Sequence, residues 1–152
     1  MEYKDVFIRV IVKTLKDLTK INFLYEELPN QVKYVSKKEI TNQISLFGEE
    51  NEGMIILNMD RQTLKNFYYF IENEELEDDD FTIEDFCGEI GNIIAGKFIE
   101  LLDIDINISL PMINFEPIEY STFKKNPFSC FRFYANGNEL FVYTYLSKLV
   151  SQ

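Results

Sequence analysis

The sequence predicts an α+β fold in which helices cover one face of a largely antiparallel sheet. Three stretches place apolar residues at helical spacing, and several shorter segments have the alternating or continuous apolar pattern of strands. Asn136-Gly137 separates two aromatic-rich segments, and this pair strongly favours a tight hairpin turn. The 152 residues are enough for one domain, over residues 1–152, with a sizeable core.

The N-terminal part is predicted to contain one helix followed by a hairpin. Residues 3–20 carry apolar side chains at helical spacing, with lysines on the opposite side. Residues 21–38 lack a clear period and contain a Pro-Asn pair, so we expect irregular structure there. Residues 39–47 and 53–59 are predicted strands, and the five residues between them suit a hairpin connection.

A second helix and an acidic segment are expected next. The helix is predicted to start after Asp60, a favourable N-cap residue, and to end near Ile71. Residues 72–80, called the acidic segment below, hold seven carboxylates in nine positions. A solvated loop is the simplest interpretation. A calcium loop is the alternative, although the regular Asp-x-Asp-x-Asp-Gly spacing is missing.

The chain is organised around a third predicted helix, from Thr82 to about Leu102. Thr82 followed by Asp85 resembles a capping box with Asp in place of Glu, which puts the helix start at Thr82. Apolar residues recur there about every 3.6 residues, so one side of the helix is expected to be buried. That side carries Ile83, Phe86, Cys87, Ile90, Ile94 and Leu101.

The opposite side of this helix carries a carboxylate and an amide about one turn apart. Asp85, Glu89, Asn92 and Gly96 follow one track along it. An exposed polar face is the simplest interpretation of that track. The helix also contains three glycines, each costing about 0.8–1.0 kcal/mol relative to alanine. We infer that the helix approaches something closely, either its own sheet or a partner protein.

The C-terminal part is predicted to be strands. Residues 104–113 alternate apolar and polar side chains, which predicts a half-buried strand. Residues 128–134 and 140–146 flank Asn136-Gly137 and are predicted to pair as a hairpin. Aromatic residues occupy both sides of this hairpin, so two faces, or an edge, are expected to be covered.

Composition excludes several classes of function. A net charge of −11 argues against nucleic-acid binding. The absence of histidine excludes phosphohistidine, Ser-His-Asp and Cys-His chemistry and imidazole metal ligands. Cys87 and Cys130 are too few for a zinc site, and Cys87 is expected in the core. No apolar run approaches the ~20 residues of a membrane span and no basic signal region is present, so we expect a cytoplasmic protein without membrane contact.

One motif is misleading. Residues 91–97 match Gly-x4-Gly-Lys, the start of a phosphate-binding loop. That loop needs a preceding strand and a Ser or Thr after the lysine. Here Phe98 follows, and the segment continues an amphipathic helix. Nucleotide binding is therefore not predicted.

The polar track and the segment that follows it resemble a known signature. The pattern is Asp85-x3-Glu89-x2-Asn92-x3-Gly96, followed by Leu-Pro at the end of residues 108–111. It is similar to the pattern of the CheC/CheX/FliY chemotaxis phosphatases. A single Glu-x2-Asn pair resembles the CheX type more than the two-motif CheC type. The resemblance implies a CheC-like α+β fold, with a mostly antiparallel sheet and helices packed on its face.

The resemblance also implies an activity, a partner and residue roles. The expected substrate is the aspartyl phosphate of a phosphorylated CheY-type response regulator. Glu89 would dock on a lysine of the regulator, and Asn92 would orient the attacking water. This reaction mostly needs positioning of water, and an amide can both accept from and donate to it. The chain would need no cofactor or metal of its own, because the partner would supply Mg²⁺.

Further contacts are implied around this pair. Gly88, Ala95 and Gly96 would let the regulator's cleft close onto the helix, and Asp85 would be a partner contact on the same track. Members of the CheX type are homodimers, so the resemblance implies a homodimer here.

Two other functions stay open at this point. A binding module of the same fold could dock a regulator or a flagellar or receptor complex without hydrolysis, and an unrelated α+β domain could bind a small molecule. The presence of both Glu89 and Asn92 favours the phosphatase over the adaptor, whereas a convergent apolar pocket would favour the third function.

Overall fold

The computed structural model describes residues 2–121 and 127–148. Three helices and nine strands lie in these ranges. In chain order they are α1 (Tyr3–Thr19), β1 (Leu24–Gln31), β2 (Lys33–Val35), β3 (Ile40–Phe47), β4 (Asn51–Met59), α2 (Arg61–Glu72), α3 (Asp80–Leu102), β5 (Asn107–Ile108), β6 (Met112–Asn114), β7 (Glu119–Ser121), β8 (Phe128–Ala135) and β9 (Asn138–Lys148).

The main sheet has seven strands in the order β1-β8-β9-β4-β3-β5, with β6 also pairing to β3. All of these pairs are antiparallel. Strands β2 and β7 form a separate two-stranded antiparallel sheet. Helices α1, α2 and α3 contribute to one large core with the main sheet. The predicted α+β fold with a mostly antiparallel sheet is confirmed.

The two faces of the main sheet have different covers. Alternate residues of a strand point to opposite faces, and Phe131 and Phe133 of β8 lie in the core shared with the helices. Phe128 lies in a second cluster with Tyr143 of β9 and Tyr34 of β2. The small β2–β7 sheet thus covers the second face of the β8–β9 hairpin. The aromatic residues on both sides of this hairpin are explained within the chain and do not by themselves indicate a second copy.

Both predicted hairpins are confirmed. Asn136 and Gly137 have φ values of 50° and 80°, the left-handed conformation that a two-residue hairpin turn requires. In the other hairpin β4 starts at Asn51, two residues earlier than predicted. The turn is shortened by a hydrogen bond from the Gly48 amide to the Asn51 carbonyl (2.9 Å).

The prediction of irregular structure over residues 21–38 is wrong. Strand β1 lies at the edge of the main sheet, and all of its side chains except that of Leu28 are exposed. A strand without a buried face leaves no alternating pattern in the sequence. Pro29 is tolerated there because an edge strand can leave one side without ladder hydrogen bonds.

The single predicted strand over residues 104–113 is also wrong, because Pro111 interrupts it. β5 and β6 both pair with β3, but at separate places. Between them, Ser109 keeps the backbone of Ser45 satisfied. The Ser109 amide donates to the Ser45 carbonyl (2.9 Å), and the Ser45 amide donates to Ser109 Oγ (2.9 Å).

The helix starts differ from the predicted caps. Asp79, not Thr82, is the N-cap of α3, where its carboxylate accepts from the Thr82 amide and the Thr82 hydroxyl, both at 2.8 Å. Asp60 occupies the N-cap position of α2 as predicted, but its side chain makes no cap hydrogen bond. The Arg61 amide donates to Glu39 instead (2.7 Å). None of the described helices is long and apolar enough to cross a membrane.

Candidate functional site

Helix α3 has the two faces that its sequence predicts. Ile90 and Ile94 are buried, whereas Glu89 and Asn92 are exposed on the other side. The assignment of Leu101 to the buried side is wrong, since this side chain is 49 % exposed. Phe98 fills the core there instead and packs edge-on against Phe7 of α1, with ring centroids 4.9 Å apart. Near the C-terminal end of α3, Phe98 and not Leu101 therefore faces the core.

A shallow groove of about 470 Å³ lies between α3 and the segment that follows β5. We call it the α3 groove. The structure brings together four of the predicted site residues in it, and adds four that were not predicted. Its lining consists of Asp85, Gly88, Glu89 and Asn92, together with Phe81, Glu84, Pro111 and Ile113.

The remaining predicted contacts, Gly96 and Ala95, differ in accessibility. Gly96 is exposed, and a Cβ added there would meet no atom within 4 Å outside its own helix. It therefore lies on the open side of α3, beyond the groove. Ala95 is fully buried in the core. Its assignment as a partner contact is wrong, because one residue along a helix turns the side chain by about 100°.

The glycines of α3 serve different neighbours. A Cβ at Gly91 would lie 2.4 Å from Asn42 Nδ2, so this glycine lets α3 settle on β3. A Cβ at Gly88 would lie 3.9 Å from the Pro111 ring, at ordinary contact distance across the groove. Gly96 has open space. Close approach to the chain's own sheet therefore explains Gly91 only.

The groove is rich in uncompensated negative charge. Within residues 2–121 and 127–148, Glu84, Asp85 and Glu89 form no ion pairs and their side chains accept no hydrogen bonds. The amide of Asn92 also has no partner within the described chain, so it is available to a water or a ligand. Such a surface favours a cationic group on whatever binds.

The field of these carboxylates extends to α2. Burial raises the pKa of Tyr68, and the carboxylates of Glu74, Glu72 and Glu89 raise it further. Tyr68 packs edge-on against Phe86, with ring centroids 5.1 Å apart. Carboxylates of the acidic segment and of Glu89 therefore both act on Tyr68.

The acidic segment is fastened to α2 rather than free in solvent. Asp78 forms ion pairs with Arg61 (3.0 Å) and Lys65 (2.8 Å), and Arg61 also pairs with Asp80. The hydrogen bond from Lys65, followed by that from Arg61, lowers the pKa of Asp78. Leu76 is buried in the core. Among the described residues, no three metal-ligating side chains are grouped to hold an ion.

A larger cavity, of about 600 Å³, lies between α2 and the acidic segment. Most of its lining side chains are polar or charged, among them Gln62, Lys65, Asn66 and Glu75. This is not the convergent apolar pocket that a small-molecule-binding function would need.

The two cysteines are core residues. Burial raises the pKa of Cys87 to about 12 and that of Cys130 to about 11. Neither thiol is ionised near neutral pH, so neither is a nucleophile.

Sequence reasoning missed the apolar rim of the groove. Phe81, which lines the groove, is 81 % exposed. Phe81 lies off the apolar period of α3, which was the available signal. Pro111 and Ile113 come from a separate stretch of chain, and only the folded structure places them opposite Glu89 and Asn92.

The structure is similar to several solved structures. CheX of Vibrio vulnificus is 13 % identical, with a TM-score of 0.76, covering 97 % of this chain and 100 % of that one. CheX of Desulfovibrio desulfuricans is 18 % identical, with a TM-score of 0.73 and the same coverage. A complex of CheX, CheY, BeF₃ and Mg²⁺ from Borrelia burgdorferi gives 23 % identity and a TM-score of 0.70, covering 95 % of this chain and 97 % of that one. These similarities establish the CheC-like fold.

The sequence itself establishes the family. None of the curated proteins matches the chain significantly. The family model described as "Chemotaxis phosphatase CheX" matches residues 40–117, which is 78 of the 152 residues. The matched region runs from β3 through the α3 groove, so it contains all of the candidate site residues. The chain belongs to the CheX family of chemotaxis phosphatases.

Proposed function

We propose that this protein hydrolyses the aspartyl phosphate of a phosphorylated CheY-type response regulator in cytoplasmic chemotaxis signalling. The observation that carries the proposal is the exposed, unpartnered pair Glu89 and Asn92 on the open face of α3, in one groove. Membership of the CheX family supports it. The Borrelia burgdorferi structure, in which CheX is in complex with CheY, supports the choice of partner.

Asn92 is assigned to the chemistry. Its amide can accept a hydrogen bond from a water and donate one to it, and so hold the water in line with phosphorus. Water attacks phosphorus, the bond from phosphorus to the aspartyl oxygen breaks, and the products are a free carboxylate and inorganic phosphate. Little covalent help is required, because the barrier is lowered mainly by positioning and charge stabilisation. The phosphorylated partner would supply Mg²⁺.

Glu89 is assigned to docking. Its carboxylate has no ion pair within the described chain and faces the groove, so it is available to a lysine of the regulator. Glu84 and Asp85 add negative charge beside it. Phe81 and Pro111 offer apolar contact at the rim. A partner that joins a basic group to an apolar surface fits this lining.

The test follows the decay of a phosphorylated CheY-type regulator with and without this protein. Asn92→Ala should slow the catalysed decay by about 10²–10³-fold, the typical effect of removing one preorganised polar group. Affinity for a regulator activated with beryllium fluoride should change little, because Glu89 still docks. The helix should survive, since alanine is the better helix former.

Glu89→Ala should weaken both association and turnover, because a lysine on the partner loses its counter-charge. A loss of about tenfold or more is expected for a hydrogen bond to a charged group. Glu100→Ala is the matched control, since Glu100 is exposed on α3 but does not line the groove. Equal rates for Asn92→Ala and wild type would refute the catalytic assignment. Binding without any acceleration by wild type would identify a non-catalytic adaptor.

We also propose that the protein is a homodimer, as its family resemblance implies. The outer edge of β1 is a surface that could contribute, because β1 is the last strand of the main sheet. Leu24 and Tyr25 on this strand are 62 % and 49 % exposed. Exposed edge strands are surfaces that proteins commonly cover.

A further inference from the structure

Asn42 lies directly beneath the α3 groove and contacts both of its walls. Its side chain is fully buried on β3. Its Nδ2 donates to the Cys87 carbonyl of α3 at 2.9 Å, one residue before Gly88 of the groove. Its backbone is paired with Ile113 of β6, which lines the opposite wall. One residue of the central sheet therefore connects the helical wall to the strand wall.

The helix lies in close contact with this side chain. A Cβ at Gly91 would lie 2.4 Å from Asn42 Nδ2 and 3.3 Å from Asn42 Cγ. Asn42 thus contacts α3 at two successive points, the carbonyl of Cys87 and the bare backbone of Gly91. The residues between them, 88–90, carry the groove glycine and the docking carboxylate. The amide of Asn42 contacts this turn from the sheet side, together with Ile44 Cδ1, which would lie 2.9 Å from a Cβ at Gly91.

Core packing alone does not account for a polar residue here. Asn42 Oδ1 is buried and has no hydrogen-bond partner among the described residues. An unpaired buried acceptor is destabilising, and leucine has the same branched arrangement of four side-chain heavy atoms without polar atoms. Asn42 therefore gains a hydrogen bond to the Cys87 carbonyl through Nδ2, while its buried Oδ1 has no partner among the described residues.

We propose that Asn42 is a positioning residue that fixes the helical wall of the α3 groove relative to the strand wall. This inference rests on the proposed phosphatase function and extends it to a residue that touches no substrate. In a groove that must hold a water in line with phosphorus, displacement of about 1 Å can reduce the rate by as much as 10²-fold. Asn42 keeps Glu89 and Asn92 at the required separation from Pro111 and Ile113.

The experiment uses Asn42→Leu, which keeps the branched shape and the number of heavy atoms and removes the donor. Thr41→Val is the matched control. Thr41 is the adjacent buried residue on β3, and its hydroxyl shares a hydrogen bond with Tyr34 Oη (2.6 Å), on the side of the sheet away from α3. Asn42→Leu loses one buried side-chain hydrogen bond, and Thr41→Val loses the bond to Tyr34 together with a longer one donated by Asn58 Nδ2 (3.4 Å). Only Asn42→Leu alters the support of the groove.

Amide hydrogen exchange is the first readout, because it does not depend on activity. In Asn42→Leu the amides of residues 88–92 should exchange roughly tenfold faster relative to the rest of α3, as expected for loss of about one hydrogen bond. In Thr41→Val they should be unchanged relative to the rest of α3. Where Asn42→Leu does not fold, Asn42→Ser takes its place, because the smaller side chain cannot overpack and its hydroxyl falls short of the Cys87 carbonyl.

Turnover is the second readout. We expect kcat for regulator dephosphorylation to fall by 10-fold to 100-fold in Asn42→Leu, with at most a twofold change in affinity for the beryllium fluoride form. Thr41→Val should keep the wild-type kcat. Unchanged exchange at residues 88–92, or faster exchange with an unchanged kcat, would overturn the proposal. If the wild-type protein itself does not accelerate the decay, the proposed function fails, and hydrogen exchange at residues 88–92 then decides whether Asn42 positions the helical wall.

Discussion

Alanine substitutions at two glycines of α3 should have opposite effects on stability. Gly91 and Gly96 are both interior residues of the same 23-residue helix. Intrinsic propensity therefore favours alanine at each by about 0.8–1.0 kcal/mol. Their surroundings differ. A Cβ at Gly96 meets nothing within 4 Å, whereas a Cβ at Gly91 falls 2.4 Å from Asn42 Nδ2 and 2.9 Å from Ile44 Cδ1.

The contact at Gly91 is expensive to relieve. Ile44 can turn the end of a flexible side chain, but Asn42 is buried and hydrogen-bonded to the Cys87 carbonyl. Moving Asn42 loses that bond, worth about 0.5–1.5 kcal/mol. Moving α3 instead overpacks the core, at about 1–3 kcal/mol. After the propensity gain of about 0.8–1.0 kcal/mol is subtracted from the overpacking cost, Gly91→Ala should destabilise the protein by up to about 2 kcal/mol.

Gly96→Ala should keep the full propensity gain and stabilise the protein by about 0.8–1.0 kcal/mol. The propensity gain is common to both variants, so they should differ by the packing cost at Gly91, about 1–3 kcal/mol. Urea unfolding followed by far-ultraviolet circular dichroism measures the difference, and equal m-values would show that the same surface unfolds. A Gly91→Ala protein as stable as Gly96→Ala would mean that α3 does not rest on Asn42, and the reasoning would fail.

The Gly96→Ala variant also tests docking of the regulator. Gly96 lies on the open side of α3, next along the track from Asn92. If the regulator covers it, Gly96→Ala should weaken association while it stabilises the fold. A substitution that raises stability and lowers affinity cannot be explained by damage to the structure. Unchanged affinity would remove Gly96 from the docking surface and leave the α3 groove as the contact.

Two further predictions concern the assembly and the pH dependence. Light scattering at tens of micromolar should give the mass of a homodimer, and a monomer would contradict that proposal. The hydrogen bonds from Thr82 lower the pKa of Asp79 below its usual 3.8. A lowered pKa means that the cap stabilises the fold above the unfolded value and that this contribution is lost as pH falls through the folded value. Thermal unfolding between pH 7 and pH 2 should therefore depend less on pH in Asp79→Ser, which retains a capping hydroxyl. An identical pH dependence in both proteins would contradict this assignment.

The sequence was sufficient where a segment has one buried and one exposed face. The period of α3 placed Ile90 in the core and Glu89 outside. The Asn136-Gly137 turn has the positive φ values that this pair favours. For Ala95 the spacing of residues along α3 was not sufficient. Residue spacing does not say whether a residue at the border between two faces of a helix is buried. That depends on the strand that packs beneath it.

Features made by distant parts of the chain could not be predicted in the same way. Strand β1 has no buried face, so nothing in its composition signals a strand. Asn42 is one polar residue in an apolar strand, and its contact with Cys87 spans 45 residues of sequence. Asp79 is the cap in place of Thr82, and its neighbour Asp78 is held by ion pairs with α2. Each of these was decided by tertiary packing.

The position of the candidate pair on a rigid element has a consequence for mechanism. Asn92 lies in the middle of α3, whose first turn is capped by Asp79 and whose last turn ends at Asp103 in the left-handed conformation. Asn92 thus lies in the interior of a 23-residue helix, where the backbone is hydrogen-bonded on both sides. The backbone that carries Asn92 is therefore defined by the helix, and in the proposed function the docking regulator completes the reaction centre, not closure of a loop in this chain. It follows that substitutions at the groove rim, such as Phe81→Ala, should alter regulator affinity while kcat at saturating regulator stays near the wild-type value.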